Sequence, residues 1–271
     1  MPWTKSTKPS RPPSAGRPFA TSSFSSAQSQ RVGTAAEILR PKHHLFLAVE
    51  ACLVLSLGIL SAVVHANPGP LPGDVALAQA VQRELLHRGP VTQLIEGIST
   101  LNWPLPTAIT LGLIVLVFLA LRRWLDAAVA LIAALASSNQ RLLLSKWVHR
   151  PRPYGHGIHQ LQHITTSYSF PSGHVTYAVT VFGLFLFLAT HIRRPIHPVL
   201  IWVIRVVLVC VIVLMPVSRV LEGEHWPSDT LGGILDGLFW VVLVSHLYLW
   251  ARSRWPALLA PDEHDPLPAK T

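Results

Sequence analysis

Six long apolar runs constrain this chain more than any other feature of its sequence. They cover residues 43–65, 104–121, 124–145, 175–191, 198–217 and 229–250. Each run is long enough for a helix to cross a bilayer whose hydrocarbon core is ~30 Å thick. Half of the 271 residues are hydrophobic and only 13% are charged, which excludes an ordinary soluble domain of this size. We therefore predict an all-α, polytopic membrane protein whose six transmembrane helices lie within residues 41–250.

The segments outside these runs are polar, and each predicts a different structure. Residues 1–40 are rich in Ser, Pro, Arg and Lys, which is typical of a disordered basic tail. Residues 67–103 join the first two runs, and apolar positions at helical spacing over 75–88 predict an amphipathic segment along the membrane surface. Residues 251–271 are predicted to form a second polar tail.

The distribution of basic residues predicts how the helices are oriented. Seven of the 22 Lys and Arg residues precede residue 43, and others lie at 122–123, 193–194, Arg252 and Arg254. With six spans, all of these positions fall on one face of the membrane. The positive-inside rule makes that face cytoplasmic, together with both termini, and places the segment 67–103 outside. No recognisable nucleic-acid fold accompanies the basic tail, so we predict the bilayer and a membrane lipid as partners, and no nucleic acid.

Three junctions on the opposite face contain clusters of charged and polar side chains. They are Lys146–Pro153, Pro171–His174 and Ser218–Asp229. Their several fixed cations suit an oxyanion, because guanidinium groups bind phosphate bidentately and stay charged. The run 124–145 becomes polar over 137–141, and this end should line a protein or water-filled site because polar groups facing lipid are costly.

The third junction holds a histidine and a carboxylate at helical spacing. His225 and Asp229 are four residues apart, so on a helix they share a face. A carboxylate bonded to one ring nitrogen fixes the tautomer and leaves the other nitrogen free to attack. His174 could then protonate the leaving group. The N–H groups of Gly173 and His174, after Pro171, are predicted to open a helix and to attract an anion.

These stretches resemble the three-part signature of the type 2 phosphatidic acid phosphatase superfamily, which also contains the vanadium haloperoxidases. The family patterns are K-x6-R-P, P-S-G-H and S-R-x5-H-x3-D, and the last two match without a gap. The resemblance implies the helical core of acid phosphatases and haloperoxidases. It also implies that His225 is a nucleophile that forms a phosphohistidine, that Asp229 orients it, and that His174 is the general acid. The residues expected to hold the phosphate oxygens are Arg152, Arg219, Ser172, Gly173 and Lys146.

The first pattern departs from the family by one residue. Counting back from Arg152, the lysine position is occupied by Ser145, and Lys146 follows it. One residue on a helix is a rotation of about 100° and a rise of about 1.5 Å. Either the flexible stem of Lys146 reaches the site, or Arg150 takes its role.

The resemblance implies a membrane enzyme that hydrolyses a lipid phosphomonoester or diphosphate without a metal or another cofactor. Our first choice of substrate is a polyprenyl diphosphate such as undecaprenyl diphosphate, because an outward-facing site could recycle a carrier lipid. Phosphatidic acid and phosphatidylglycerophosphate are the alternatives, since an apolar lipid tail leaves no readable code in the sequence. A vanadate-dependent haloperoxidase and a non-catalytic membrane protein are the rivals from other classes. The segment 75–88 is a candidate cover for the pocket.

Overall fold

The computed structural model describes residues 43–162, 167–190 and 197–255. The predicted tail at 1–40, the basic pair at 193–194 and most of the predicted tail at 251–271 lie outside these ranges. All regular secondary structure in the described residues is helical, which confirms the predicted all-α class. The helices are α1 (His43–Ala66), α2 (Asp74–Leu85), α3 (Pro90–Thr100), α4 (Pro104–Ala120), α5 (Trp124–Val148), α6 (Gly173–Ala189), α7 (Pro198–Leu221) and α8 (Pro227–Arg254).

Proline begins four of these helices, α3, α4, α7 and α8. A proline has no backbone N–H, and the first helical residue needs none, so proline fits this position at no cost. The sequence thus marks the start of each of these helices. The α6 helix contains one π-helical turn at Ala178–Phe182, in the middle of its length.

Four helices, α1, α5, α7 and α8, are long and apolar enough to cross a membrane. The α4 helix passes this test only together with α3, from which it is bent by 70°. The α6 helix has an apolar sequence but falls among the shorter helices of 10–17 residues. The described helices therefore support four spans, or five with the bent pair, and the number six stays a prediction.

The α8 helix packs against α1, α5, α6 and α7, and small residues let it approach α6 closely. A Cβ added to Gly237 would lie 2.5 Å from Cβ of Val179, and one added to Gly233 would lie 2.8 Å from the carbonyl oxygen of Ser172. Only glycine fits these two positions. Because of this contact, the first turns of α6 and α8 lie side by side, and the Ser172 amide donates to the Asp229 carbonyl at 3.0 Å.

The α2 helix is anchored to the outer loops by one buried glutamine. The Gln82 side chain donates to the carbonyls of His159 and Leu221 at 2.8 and 2.9 Å, and it accepts from the His159 amide at 3.0 Å. This contact fixes the amphipathic segment beside the loop that follows α5.

Candidate active site

A cavity of about 540 Å³ lies where the three predicted junctions meet. Its lining comes from α4, from the polar end of α5, from the first turns of α6 and from the loops next to α5 and α8. The lining residues are Asn102, Thr107, Ser138, Arg141, Leu142, Ser145, Lys146, Arg152, Ser167, Tyr168, Gly173, His174, Tyr177 and His225. The polar end of α5 thus lines a protein site, as its sequence predicts. Residues 75–88 do not appear in this described lining, because Gln82 holds α2 against the loops, and a covering role for this segment stays a prediction.

His225 is buried, and its ring is fixed by a backbone carbonyl. Nδ1 of His225 lies 2.7 Å from the carbonyl oxygen of Ser169. A carbonyl can only accept, so Nδ1 carries the proton and Nε2 keeps its lone pair. Nε2 lies 3.4 Å from Nη1 of Arg152. Burial, followed by the charges of Arg152 and Arg219, lowers the pKa of His225 well below its ordinary value. The histidine is therefore neutral near pH 7 and has a free nitrogen beside a cation.

Asp229 does not bond His225 directly, although the spacing of four residues predicted that contact. Oδ2 of Asp229 lies 3.8 Å from Nδ1 of His225, too far for a hydrogen bond. Oδ2 instead accepts from the Ser169 hydroxyl and from the Trp226 amide, the latter at 2.8 Å. The carboxylate thus closes the first turn of α8 and holds the residue whose carbonyl fixes the histidine. Asp229 is thus linked to His225 through Ser169.

Arg150 belongs to the same buried network and is directed away from the cavity. Its Nη1 donates to Oδ1 of Asp229 at 2.6 Å, and its Nη2 donates to Oδ2 of Asp74 at 2.9 Å. Asp74, at the start of α2, also accepts from the Ser228 amide at 2.9 Å. With both terminal nitrogens occupied and no exposure, Arg150 cannot take the role of the family lysine. That alternative is wrong, because this arginine links α2 to α8.

Two predicted phosphate-binding arginines have different surroundings. Arg152 is part of the cavity wall, and its Nη1 donates to the Glu224 carbonyl at 2.8 Å. Burial lowers the pKa of Arg152, while the charge of Glu224 raises it. Arg219 is fully buried, and its Nη1 donates to Ser99 at 2.7 Å and to Glu222 at 2.5 Å. Nε and Nη2 of Arg219 have no hydrogen-bond partner among the described residues.

Other predicted residues also have unused polar atoms. Oγ of Ser172 and Nε2 of His174 are buried without a hydrogen-bond partner in the part of the chain that the structure describes. A buried polar atom without a partner is costly, and such atoms are expected where a ligand satisfies them. Together with the free nitrogens of Arg219, they form a set suited to the oxygens of a bound phosphate.

Ser145, at the family lysine position, and Lys146, the next residue, both line the cavity. Lys146 is exposed, whereas Ser145, in the family position, is buried. Gly173 also lines the cavity, at the first residue of α6. Of the eight predicted site residues, Lys146, Arg152, Gly173, His174 and His225 line the described cavity, and Ser172, Arg219 and Asp229 lie behind its wall.

Comparisons with known proteins identify the family. Residues 123–253 match the family described as the PAP2 superfamily. Over 199 residues the chain is 31% identical to phosphatidylglycerophosphatase B of Bacillus subtilis. This alignment covers 71% of this chain and 91% of that protein. The chain belongs to the PAP2 superfamily. This result confirms the family resemblance and the assignment as a phosphoric ester hydrolase of membranes.

Two further PAP2 comparisons agree. The chain is 29% identical over 167 residues to decaprenylphosphoryl-5-phosphoribose phosphatase of Mycobacterium tuberculosis, covering 61% of this chain and 85% of that protein. The crystal structure of a transmembrane PAP2-type phosphatidylglycerolphosphate phosphatase from Bacillus subtilis aligns with a TM-score of 0.61 at 27% identity. That alignment covers 73% of this chain and 95% of the other. The protein is therefore an all-helical membrane enzyme of the PAP2 type.

The residues that sequence reasoning missed stabilise the PAP2 site from behind. Ser169 and Asp74 lie in the loop before α6 and at the start of α2, where no motif or periodicity marks them. Arg150 was noted, but its role was not. No signal in the sequence indicated this role, because residues two apart in an extended chain, such as Arg150 and Arg152, are expected on the same side.

The carboxylates near the site are used as hydrogen-bond partners. Within the described ranges, no group of three or more His, Cys, Asp or Glu side chains could hold a metal ion. Hydrolysis without a metal stays a prediction, and a chelator tests it below.

Proposed function

We propose that this protein hydrolyses the phosphate ester of a membrane lipid through a phosphohistidine on His225. One observation supports this most. The Nε2 atom of His225 keeps its lone pair, beside Arg152, at a cavity whose walls include or adjoin unpartnered donors of Arg219, Ser172 and His174. A nucleophile and donors placed around one position meet the geometric requirement for phosphoryl transfer.

The proposed reaction has two steps. Nε2 of His225 attacks phosphorus, the bond from phosphorus to the lipid oxygen breaks, and His174 gives that oxygen its proton. Water then attacks the phosphohistidine, His174 takes the proton from that water, and inorganic phosphate leaves with His225 neutral again. Arg152 and Arg219 would stabilise the charge on the equatorial oxygens in both steps. A bound phosphate dianion would favour the protonated form of His174 that the first step needs.

Phosphatidylglycerophosphate is the first candidate substrate, because the Bacillus subtilis relative that the chain covers almost completely is named for it. A phosphorylated polyprenyl lipid is the second candidate class, because the mycobacterial relative is named for decaprenylphosphoryl-5-phosphoribose. Undecaprenyl diphosphate, the choice made from the sequence, belongs to this second class, and phosphatidic acid is the third candidate.

The decisive experiment measures phosphate release from these lipids by purified protein in detergent. We expect the wild type to release phosphate with or without a metal chelator, and His225→Ala to be inactive. The matched control is His87→Ala, because His87 is exposed and lies outside the cavity. Acid-labile phosphate on His225, found by rapid quench and mass spectrometry, would identify the intermediate. Equal activity of wild type and His225→Ala would refute the proposal, and loss with chelator would refute the metal-free mechanism.

A further inference from the structure

The displaced lysine of the first motif leaves one place in the PAP2 site to be filled. Ser145 occupies the family position, and its hydroxyl is too short to take the role of a lysine. Arg141 lies four residues earlier on α5, and residues four apart on a helix share a face. Both residues line the same cavity. One helical turn is about 5.4 Å, a separation that the long side chain of an arginine can span.

The Arg141 side chain extends to the first turn of α6. A Cβ added to Gly173 would lie 3.0 Å from Nε and 3.1 Å from Cζ of Arg141. The guanidinium therefore packs against the backbone of Gly173, where the free amides of the P-S-G-H motif are. Arg141 is half-buried at this point, and its charge is one of the causes that lower the pKa of His225.

Arg141 is not occupied by the protein. No hydrogen bond or ion pair to its guanidinium is found among the described residues, although Arg150, Arg152 and Arg219 each have both. The opposite charge that acts on it is that of Asp236, whose Oδ2 accepts from Thr176 at 3.2 Å. A guanidinium beside a cavity with its donors unused is available to a ligand.

We propose that Arg141 binds an oxygen of the substrate phosphoryl group, in the place where other members of the family use lysine. This assignment rests on the proposed function and adds a residue that lies outside the three motifs. Arg141 would hold the phosphate from the α5 side, opposite Arg152. Lys146 lies about 100° around α5 from Ser145. Exposed at the mouth of the cavity, it would act more weakly on the headgroup.

The test uses activity and the inhibition constant of orthovanadate, which resembles a bound phosphoryl group. We expect Arg141→Gln to lower kcat/KM and to raise that constant by about 10- to 100-fold, the loss of one charge-assisted hydrogen bond. Lys146→Ala should lose less than Arg141→Gln, and far less than His225→Ala. Arg205→Gln is the matched control, because Arg205 is an exposed arginine on α7 away from the cavity.

A rescue separates ligand binding from a structural role. In Arg141→Gln with Ser145→Lys, a lysine returns to the family position, and we expect kcat/KM and vanadate inhibition to recover at least in part. A residue that only stabilises the fold would not be replaced in this way, and thermal unfolding in detergent checks the folding of each variant. If Arg141→Gln is unstable, Arg141→Lys gives the same test, since it keeps the charge but loses the bidentate geometry.

Two failures can be told apart. If Arg141→Gln keeps wild-type activity and vanadate inhibition while His225→Ala is inactive, the role of Arg141 is refuted and the proposed function stands. The role of Arg141 is also refuted if Arg141→Gln loses activity but keeps the wild-type inhibition constant of orthovanadate, and if adding Ser145→Lys does not restore kcat/KM. If wild type releases no phosphate from any lipid, the proposed function itself fails.

Discussion

At the residue scale, the ring of His225, the proposed nucleophile, is held by a backbone carbonyl, and the Asp229 carboxylate is linked to it through Ser169. Ser169 accepts from His225 with its carbonyl and donates to Asp229 with its hydroxyl. The His225 ring and the Asp229 carboxylate are therefore both hydrogen-bonded to the same loop residue, Ser169. Arg150 satisfies the other oxygen of Asp229 inside the protein.

Removal of this carboxylate should affect stability as well as rate. Asp229→Ala would leave the fully buried guanidinium of Arg150 facing a cavity, and breaking a buried pair costs about 3–5 kcal/mol. We expect a lower melting temperature and a large loss of kcat. Ser169→Ala keeps the carbonyl that fixes His225 and removes only the hydrogen bond to the Asp229 carboxylate, so it should lower kcat by about 10- to 100-fold, the size of one hydrogen bond to a charged group. Turnover and thermal unfolding in the same detergent measure both, and an Asp229→Ala protein as stable as wild type would contradict the network.

The pKa of His225 predicts the acid side of the pH profile. In the proposed mechanism the neutral ring attacks phosphorus, so activity should fall when His225 gains a proton. Because burial and the charge of Arg152 lower its pKa, that loss should occur well below pH 6.5 in a profile of kcat/KM. Arg152→Gln removes the charge that lowers the pKa of His225 most. In this variant the acid limb of the residual activity should therefore move to higher pH. A wild-type limb at or above 6.5 would show that the histidine is not held neutral in this way.

At the element scale, the site depends on how closely α8 approaches α6. Gly237→Ala would place a Cβ 2.5 Å from Cβ of Val179 and 3.1 Å from the Thr176 carbonyl. Forcing a methyl group into such a contact costs about 1–3 kcal/mol and should move the two first turns apart. We expect both a lower melting temperature and reduced kcat. Gly112→Ala on α4, where nothing lies within 4 Å of the added carbon, is the matched control and should change neither. Equal behaviour of the two variants would contradict a tight α6–α8 contact.

The sequence predicted the elements of this PAP2 fold because apolar runs, prolines at helix starts and motif spacings are local features. It also indicated that side chains of Pro171–His174 and Ser218–Asp229 come together, since both motifs are continuous, and their functional roles stay predictions. It could not predict Asp74 or Ser169, whose bonds to Ser228 and Asp229 join distant segments through loops. Arg141 is an intermediate case. The polar end of α5 indicated a site, but only the contact with Gly173 indicates which residue reaches it.

At the scale of the whole molecule, the number of spans determines which side of the membrane the site faces. The predicted six spans, together with the positive-inside rule, would place both termini in the cytoplasm and the cavity outside. Helices α4 and α6 are the shortest members of the count, because at 1.5 Å per residue seventeen residues extend about 26 Å, slightly less than a hydrocarbon core of ~30 Å. The side on which the loop after α5 lies relative to the end of α8 depends on α6. If α6 crosses, the loop after α5 and the end of α8 lie on opposite sides. If it does not, they lie on the same side.

Single cysteines at these two places distinguish the topologies. Tyr154 is 86% exposed in the loop after α5, and Ser253 is exposed at the end of α8. In a background without Cys52 and Cys210, we expect Tyr154→Cys to react with a membrane-impermeant maleimide in intact cells. Ser253→Cys should react only after the membrane is permeabilised. Reaction of both from the outside, or of neither, would mean that α6 does not cross, and the reverse pattern would place the phosphatase site in the cytoplasm, where it would act on lipids of the inner leaflet.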